Sequence, residues 1–180
     1  APGPTPGSAS YAVKDDGALV YDVIVTVNDL PTQLLINGQH ATADFTADPG
    51  DPVDLVVQKG DFLASAFLTM PDQLTVTAPT GAQDASQDIT VEWNAPSYVP
   101  DLVQVVVFSP HTVSGDGWLA IVDGANTSVT IPAGTLVSAS AGVEFYVTSI
   151  NETTDLGTLA GAGSRVTAAY RVQGPAFTTQ

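Results

Sequence analysis

Three aspartates spaced three residues apart in a loop rich in proline and glycine are the first candidates for chemistry in this sequence. Asp48, Asp51 and Asp54 would supply the hard oxygen ligands that calcium prefers, although their spacing does not match an EF-hand loop. Aspartate is also common in turns, because its side chain accepts hydrogen bonds from neighbouring backbone amides. Two interpretations therefore stand, a calcium site and solvated turns, and no cofactor other than calcium is indicated.

Aromatic side chains form a second candidate site. Tyr98, His111 and Trp118 fall in or beside predicted loops, where exposed rings would form a platform for a ligand such as a carbohydrate. The alternative is that Trp118 packs at the rim of the core. Trp93 is expected inside the core, because it shares one face of a strand with apolar neighbours.

The residue sets of familiar enzymes are missing from the sequence. The chain has no cysteine and two histidines, which leaves no thiol nucleophile, no disulfide and no three-histidine metal centre. It contains neither the Gly-x-Ser-x-Gly elbow of serine hydrolases nor a phosphate-binding Gly-x-x-x-x-Gly-Lys loop. Glu92 and Glu144 are predicted on the outward side of strands, which does not suit a glycosidase with two carboxylates. We therefore predict a protein that is not an enzyme.

The charge of the chain limits its partners. Four Lys and Arg residues against 19 Asp and Glu residues give a net charge of −15. Such a surface repels a phosphate backbone, so we expect no nucleic acid and no anionic membrane among the partners. No run of 18 apolar residues occurs, and we expect no membrane span.

The start of the sequence suggests export. The chain begins with Ala1, and its first ten residues contain no apolar run, so we expect either a mature protein whose signal peptide has been removed or a chain trimmed at its start. An extracellular or cell-surface location is the corresponding prediction. The triplets at Asn126 and Asn151 match the N-glycosylation pattern and are candidate glycan sites if the source organism glycosylates its surface proteins.

The elements that would position these residues are predicted to be β-strands. The sequence contains 23 valines and 21 threonines, whose branched side chains favour strands. Apolar residues alternate with polar ones, the period of a half-buried strand. The alternating segments are 19–27, 53–57, 62–68, 89–93, 103–107, 143–147 and 166–172. Asn37-Gly38 is the strongest two-residue hairpin signal, and the one expected helical turn lies within 132–139.

The strands are expected to form two domains. Residues 1–9, with Pro2, Pro4 and Pro6, favour an extended tail. A boundary near Met70-Pro71 would divide a small β domain over 10–70 from a larger one over 71–180. We predict that the smaller domain packs against the larger, since no Ser/Gly-rich linker separates them. The expected fold class is all-β, with an antiparallel sandwich in the second domain.

A family resemblance appears from Leu74 onward. Residues 74–82, followed by the strand 88–93 that ends in Trp93, resemble the opening strands of bacterial and archaeal extracellular immunoglobulin-like or fibronectin-III-like modules. Residues 128–136 and 143–147 resemble the strand, turn and strand that cross the bottom of such sandwiches.

The resemblance covers about residues 72–178 and names no specific family. It implies an antiparallel β-sandwich in a structural, adhesive or ligand-binding role outside the cytoplasm, and it implies no catalytic residue. Antibody-type domains have a cysteine pair between their sheets; this chain has none, so apolar packing must replace it.

Two functional hypotheses follow. The first is a structural protein, a subunit of a cell-surface layer or pilus-like filament. Residues 8–14 would add as a strand to a neighbouring copy, with Tyr11 and Val13 entering its pockets; such head-to-tail addition extends into a fibre. The second is an extracellular adhesion module that binds a carbohydrate or another surface protein, with calcium organising its loops.

Overall fold

The computed structural model describes residues 6–7, 10–12, 14–15, 18–19, 22–34, 39–41, 45–138, 142–154 and 166–180. Within these ranges the chain forms twenty β-strands and one short 3₁₀ turn, and no α-helix. All but one of the strand pairs whose register is given are antiparallel. The predicted all-β class is therefore confirmed.

The strands before residue 70 are short except for the last two. They are β1 (Pro6–Gly7), β2 (Ser10–Ala12), β3 (Lys14–Asp15), β4 (Ala18–Leu19), β5 (Ile24–Val27), β6 (Leu30–Pro31), β7 (Gln33–Leu34), β8 (Gln39–Ala41), β9 (Phe45–Thr46), β10 (Pro52–Lys59) and β11 (Phe62–Thr69).

The strands after residue 70 include the longest one described. They are β12 (Val76–Ala78), β13 (Gly81–Gln83), β14 (Ile89–Trp93), β15 (Leu102–Val107), β16 (Trp118–Asp123), β17 (Ser128–Ile131), β18 (Phe145–Thr153), β19 (Val166–Gln173) and β20 (Phe177–Thr179).

The chain divides into two compact units. Unit 1 comprises Ala1–Met70 and Glu152–Ala168, and unit 2 comprises Pro71–Asn151 and Ala169–Gln180. The predicted assignment of domains over 1–9, 10–70 and 71–180, and the packing of one domain on the other, stay predictions.

The principal sheet of unit 1 has the strand order β11-β10-β5-β6, and all its pairs are antiparallel. Its residues alternate between a buried and an exposed side, because successive side chains of a strand point to opposite faces. Val25, Val27, Leu55 and Leu68 are buried on one side. The alternation predicted for segments 53–57 and 62–68 thus gives this sheet its apolar side.

A bend at Asp22 interrupts the strand predicted over residues 19–27. β4 ends at Leu19 and β5 begins at Ile24, and residues 20 and 21 lie outside the described residues. The Asp22 carboxylate pairs with Lys59, whose Nζ lies 2.9 Å from Oδ1. One continuous strand over 19–27 is therefore wrong, since Asp22 leaves the extended path and pairs with the end of β10.

Unit 1 also contains an antiparallel pair of strands on either side of the predicted hairpin turn. In β7 and β8, Gln33 lies opposite Ala41 and Leu34 opposite His40. A two-residue turn at Asn37-Gly38 would place Leu34 opposite Ala41, so the observed register differs by one residue from the predicted one. The turn itself, over residues 35–38, lies outside the described residues.

Unit 2 consists of two packed antiparallel sheets. One has the order β12-β14-β17 and the other β16-β15-β18-β19. β13 pairs in parallel with β20, placing Gly81 opposite Phe177 and Gln83 opposite Thr179. The chain thus crosses between the two sheets after β14, after β16 and after β17, as it does in immunoglobulin-like sandwiches. The predicted immunoglobulin-like fold is confirmed for this part of the chain.

One apolar cluster lies between the two sheets of unit 2. Its members come from both sheets and from the last strand; they are Leu74, Ile89, Val91, Trp93, Val103, Val105, Val107, Ile131, Leu136, Val143, Phe145, Val147 and Phe177. Trp93, expected in the core, is 3% exposed. Its indole N–H donates to the Asn126 carbonyl at 3.0 Å, which satisfies the one polar atom of the ring.

The helical turn is not where the sequence indicated. It comprises Ser109–His111, after β15, and contains Pro110, whose fixed φ suits the first turn of a helix. At the predicted place, the Thr135 N–H donates to the Pro132 carbonyl at 3.1 Å and Gly134 has φ +74°, so the chain makes a β-turn. Among the described residues, no helix has the length and apolar character needed to cross a membrane.

Candidate interaction surface

The aspartates predicted to bind calcium bond within their own turn. The Asp51 carboxylate accepts from the Asp48 N–H at 2.8 Å, and the Asp51 N–H donates to the Asp48 carbonyl at 3.0 Å. Asp54 lies farther along, inside β10. In the described ranges no three His, Cys, Asp or Glu side chains converge as metal ligands would. These bonds favour the turn interpretation, and a calcium site stays a prediction.

The predicted aromatic platform is divided between the two ends of β15. Trp118 lies opposite Val107 at one end, and His111 belongs to the turn that follows that end. Tyr98 precedes Leu102 at the other end, where its N–H donates to the Asp72 carboxylate at 3.0 Å. Six extended residues measure about 17 Å. A single platform of Tyr98, His111 and Trp118 is therefore not formed.

Trp118 packs against the core instead of lying open to solvent. It is only partly buried, but it contacts the apolar cluster together with Val122 of the same strand. Leu119 and Ile121, which alternate with these residues, expose 56% and 55% of their surface. Because both sides of β16 are apolar in sequence, alternation could not decide which side faces the core, and sequence reasoning missed the outward pair.

The strand predicted to add to a neighbour is paired within its own chain. β2 carries Tyr11, which lies opposite His40 of β8. Val13 lies outside the described residues. Donation of this strand to another copy would first require β2 to leave β8.

The two candidate glycan sites differ in exposure. Asn126 is exposed, and its side-chain amide donates to the Asp123 carbonyl at 3.1 Å. Asn151 is half-buried, and its Oδ1 accepts from the Asp101 N–H at 3.1 Å. Both assignments stay predictions.

The outer face of the four-stranded sheet of unit 2 carries a row of apolar side chains. Val106 lies opposite both Leu119 and Tyr146, and Gln104 lies opposite Ile121. Residues directly opposite each other share a face of the sheet and contact across it. The face therefore runs from β16 through β15 to Tyr146 of β18, while Thr148, opposite Gln104 on the same side, is buried.

A cation and two aromatic rings continue this face. The Arg171 guanidinium carbon lies 5.4 Å from the centroid of the Tyr146 ring, within the range of a cation–π contact. The Phe108 ring meets Tyr146 edge-on, with centroids 5.4 Å apart and an angle of 79° between the planes. We call this surface the Arg171 face; its residues are Gln104, Val106, Phe108, Leu119, Ile121, Tyr146 and Arg171.

Arg171 is electrostatically isolated within unit 2. It is the one Lys or Arg in Pro71–Asn151 and Ala169–Gln180, a stretch that contains eight Asp and Glu residues. Among the described residues it makes no ion pair, since Lys59 and Asp22 form the salt bridge found there. The guanidinium contacts the Tyr146 ring, and within the described ranges no carboxylate takes up its donors.

Unit 1 has a second apolar face, on the exposed side of its principal sheet. Leu63, Phe67 and Ile24 expose 54%, 68% and 64% of their surface. Asp54 lies opposite Phe67, and Val56 lies opposite Thr26. We call this surface the Asp54 face; its residues are Ile24, Thr26, Asp54, Val56, Gln58, Leu63, Ser65 and Phe67.

Hydrogen bonds fix the backbone of Asp54, while its carboxylate forms no ion pair with any described residue. The Asp54 N–H donates to the Asn28 side-chain oxygen at 2.8 Å, and the Asn28 N–H donates to the Asp54 carbonyl at 2.8 Å. Lys59, on the same strand, is paired with Asp22. In the described part of the chain the Asp54 carboxylate thus has no cationic partner.

Comparisons with known proteins concern the fold alone. No family model matches the chain, and no curated protein does. The chain is similar to the crystal structure of the FN1-FN3 domains of chicken CNTN1, with 9% identity and a TM-score of 0.28, over 93% of this chain and 60% of that one. It is also similar to Sidekick-1 immunoglobulin domains 1–4, with 14% identity and a TM-score of 0.28, over 96% and 46%. The chain spans less than two thirds of either, and the strand order of unit 2 is the basis for its classification.

Proposed function

We propose that the protein is a non-enzymatic extracellular structural protein whose copies assemble into a cell-surface layer or filament. The observation that carries this proposal is the Arg171 face, on which Leu119 and Ile121 are more than half exposed. Contiguous apolar patches are uncommon on monomeric proteins and mark interaction sites. Immunoglobulin-like and fibronectin-III-like domains are usually extracellular and non-enzymatic, which agrees with such a role.

The Asp54 face gives each copy a second surface for association. Ile24, Leu63 and Phe67 together present a further apolar area, so one chain offers two separate contacts. Two contacts give each copy two neighbours, as a filament requires, whereas a single self-complementary contact would end at a dimer. Association through these faces also leaves every strand in its own sheet.

The proposal is tested by the size of the protein in solution. Sedimentation velocity of the wild type over a range of concentrations should show species larger than the monomer, and electron microscopy should show their form. The variant Leu119→Ser/Ile121→Ser should remain monomeric with an unchanged circular dichroism spectrum. Val99→Ser removes a similarly exposed side chain, 61% exposed, from a loop outside both faces and should assemble like the wild type. A wild type that is monomeric at every concentration contradicts the proposal.

A disulfide lock separates face association from strand donation. Ser10 lies opposite Ala41, and the chain has no other cysteine, so Ser10→Cys/Ala41→Cys would tie β2 to β8. Assembly of the oxidised variant would support association through the faces. Assembly only after reduction would support donation of the strand that carries Tyr11.

A second candidate function is recognition of a carbohydrate or of another surface protein. The cluster of Arg171, Tyr146 and Phe108 favours it, because aromatic rings and a guanidinium lie side by side at the surface. Such a module would be monomeric and would bind its ligand at this cluster. Titration with acidic and neutral oligosaccharides, followed by chemical-shift changes at these residues, tests it.

A further inference from the structure

We infer that the Arg171 face of one copy binds the Asp54 face of the next, with the Arg171 guanidinium paired to the Asp54 carboxylate within an apolar contact. This inference rests on the proposed assembly and specifies its partner. The occupant of each face is thus a second copy of this chain. Three observations support this pairing: one concerns the Arg171 face, one the Asp54 face, and one the contact of each face with its own kind.

The first observation is that the Arg171 guanidinium has no ion-pair partner in the described part of the chain. A partner that covered Leu119, Ile121 and Tyr146 would also remove water from Arg171, and a desolvated charge without a counter-charge is strongly unfavourable. The partner must therefore bring a carboxylate to this point. The planar guanidinium is suited to that bond, because it presents parallel donors to the two oxygens of a carboxylate.

The second observation is the matching composition of the Asp54 face. Its most exposed large side chains are apolar, and its polar residues Thr26, Gln58 and Ser65 are uncharged. Its single charged residue is a carboxylate with no cationic partner in the described ranges. Asp54 lies beside Phe67, the most exposed of the large apolar side chains of the face. Covering Phe67 with a partner would desolvate Asp54, which requires a cation in return.

The third observation is that neither face suits a second copy of itself. Two Arg171 faces would bring two guanidinium groups together, and two Asp54 faces would bring two carboxylates together. Like charges opposed across an interface cost several kcal/mol. Contact between unlike faces is heterologous, so it extends into a filament or closes into a ring and does not stop at a symmetric dimer.

The test is a reciprocal exchange of the two charges. Arg171→Glu and Asp54→Arg should each raise the concentration needed for assembly at least tenfold. The double variant Arg171→Glu/Asp54→Arg should assemble close to the wild-type concentration. An equal mixture of the two single variants should also assemble, because the carboxylate introduced in one would pair with the guanidinium introduced in the other. Sedimentation velocity measures size, and circular dichroism confirms that each variant is folded.

The control and the contrary outcomes are as follows. Glu92→Arg makes the same charge change as Asp54→Arg on an exposed strand position outside both faces, and it should not impair assembly. If the wild type assembles and either single variant assembles equally well, the inference is wrong and the proposed function stands. If the single variants fail and neither the double variant nor the mixture recovers, the pairing of these faces is also wrong. If the wild type does not assemble, both are wrong.

Discussion

The backbone of Gly174 lies so close to the ring of Phe145 that a β-carbon on Gly174 would fall 2.0 Å from the ring Cζ. The Gly174 N–H also donates to the Phe145 carbonyl at 3.0 Å, which holds the two residues together. Phe145 is fully buried and meets Phe177 edge-on at 5.8 Å between centroids, so the ring has no free space to enter. Glycine is thus required here by a close approach in the core.

Gly174→Ala should therefore destabilise the protein by about 3 kcal/mol, at the upper end of the cost of overpacking a core. Urea unfolding followed by tryptophan fluorescence measures the change. Gly60→Ala is the control, since a β-carbon there meets nothing within 4 Å and its cost is the strain of a positive φ, about 1 kcal/mol. In the background of Phe145→Leu the added methyl should cost less than in the wild type, because neighbouring changes are not additive. Equal costs at Gly174 and Gly60 would contradict this account.

Thr148→Val should stabilise the protein by about 1 kcal/mol. The Thr148 hydroxyl is buried and has no hydrogen-bond partner among the described residues, and an unsatisfied buried polar group costs about 1–3 kcal/mol. Thr112→Val is the matched control, because the Thr112 hydroxyl donates to the Ser109 carbonyl and accepts from the Gly117 N–H, both at 3.1 Å. We expect that variant to lose about 1–2 kcal/mol. Thermal unfolding of both variants measures the change in stability. A change of the same sign in the two variants would refute the prediction.

Ser86→Ala should raise the pKa of Asp84 part of the way to its ordinary value. The Ser86 hydroxyl donates to the Asp84 carboxylate at 2.7 Å and the Ser86 N–H at 2.9 Å, and together they hold the Asp84 pKa low, the hydroxyl having the larger effect. A lowered native pKa stabilises the fold above about pH 4, and this contribution is lost as the pH falls through the native pKa. Carboxyl NMR titration measures the change, and Ser97→Ala should leave Asp84 unaffected. A pKa of Asp84 that does not rise in Ser86→Ala would disprove the assignment.

Added sodium chloride should promote assembly over the range from low to physiological ionic strength. Copies with a net charge of −15 repel each other. Salt reduces the range of this repulsion to about 8 Å at physiological ionic strength. The contact itself is mainly apolar, and a pair at its centre is screened less than exposed charges are. Light scattering at fixed protein concentration measures the response. Assembly that weakens steadily with salt would show that charge attraction dominates.

Calcium gives a separate test under the same conditions. At matched ionic strength, calcium chloride and sodium chloride should act alike if screening is the cause. An additional effect of calcium that a chelator reverses, and that Asp51→Asn removes, would support the site predicted at Asp48, Asp51 and Asp54.

The sequence was sufficient for strands whose two sides differ in polarity. Ile89, Val91 and Trp93 alternate with the exposed Thr90 and Glu92 and are buried, so period two alone placed them in the core. β16 has apolar residues on both sides, and only the register with β15, which sets Leu119 opposite Val106, shows which side is outward. The order of the sheets depends on pairings between residues far apart in the chain, and local pattern does not encode these.

The candidate surface was harder to predict than the fold for the same reason. Arg171 and Tyr146 lie 25 positions apart in sequence, and neither has a motif around it. They become neighbours because β18 and β19 are adjacent in the sheet. In the sequence, the aromatic residues Tyr98 and Trp118 in or beside predicted loops were what indicated a ligand site. In the fold they lie at opposite ends of β15.

The parallel pairing of β13 with β20 has a mechanical consequence. Besides this ladder, the Gln180 N–H donates to the Gln83 carbonyl at 2.9 Å, and the Ala85 N–H donates to the Gln180 carbonyl at 3.1 Å. A pull on Gln180 along β20, opposed at the start of β13, would load these bonds side by side and not one after another. Unit 2 would therefore resist a force applied at its last residues, because all of these bonds would have to break together. Such resistance suits a subunit under tension.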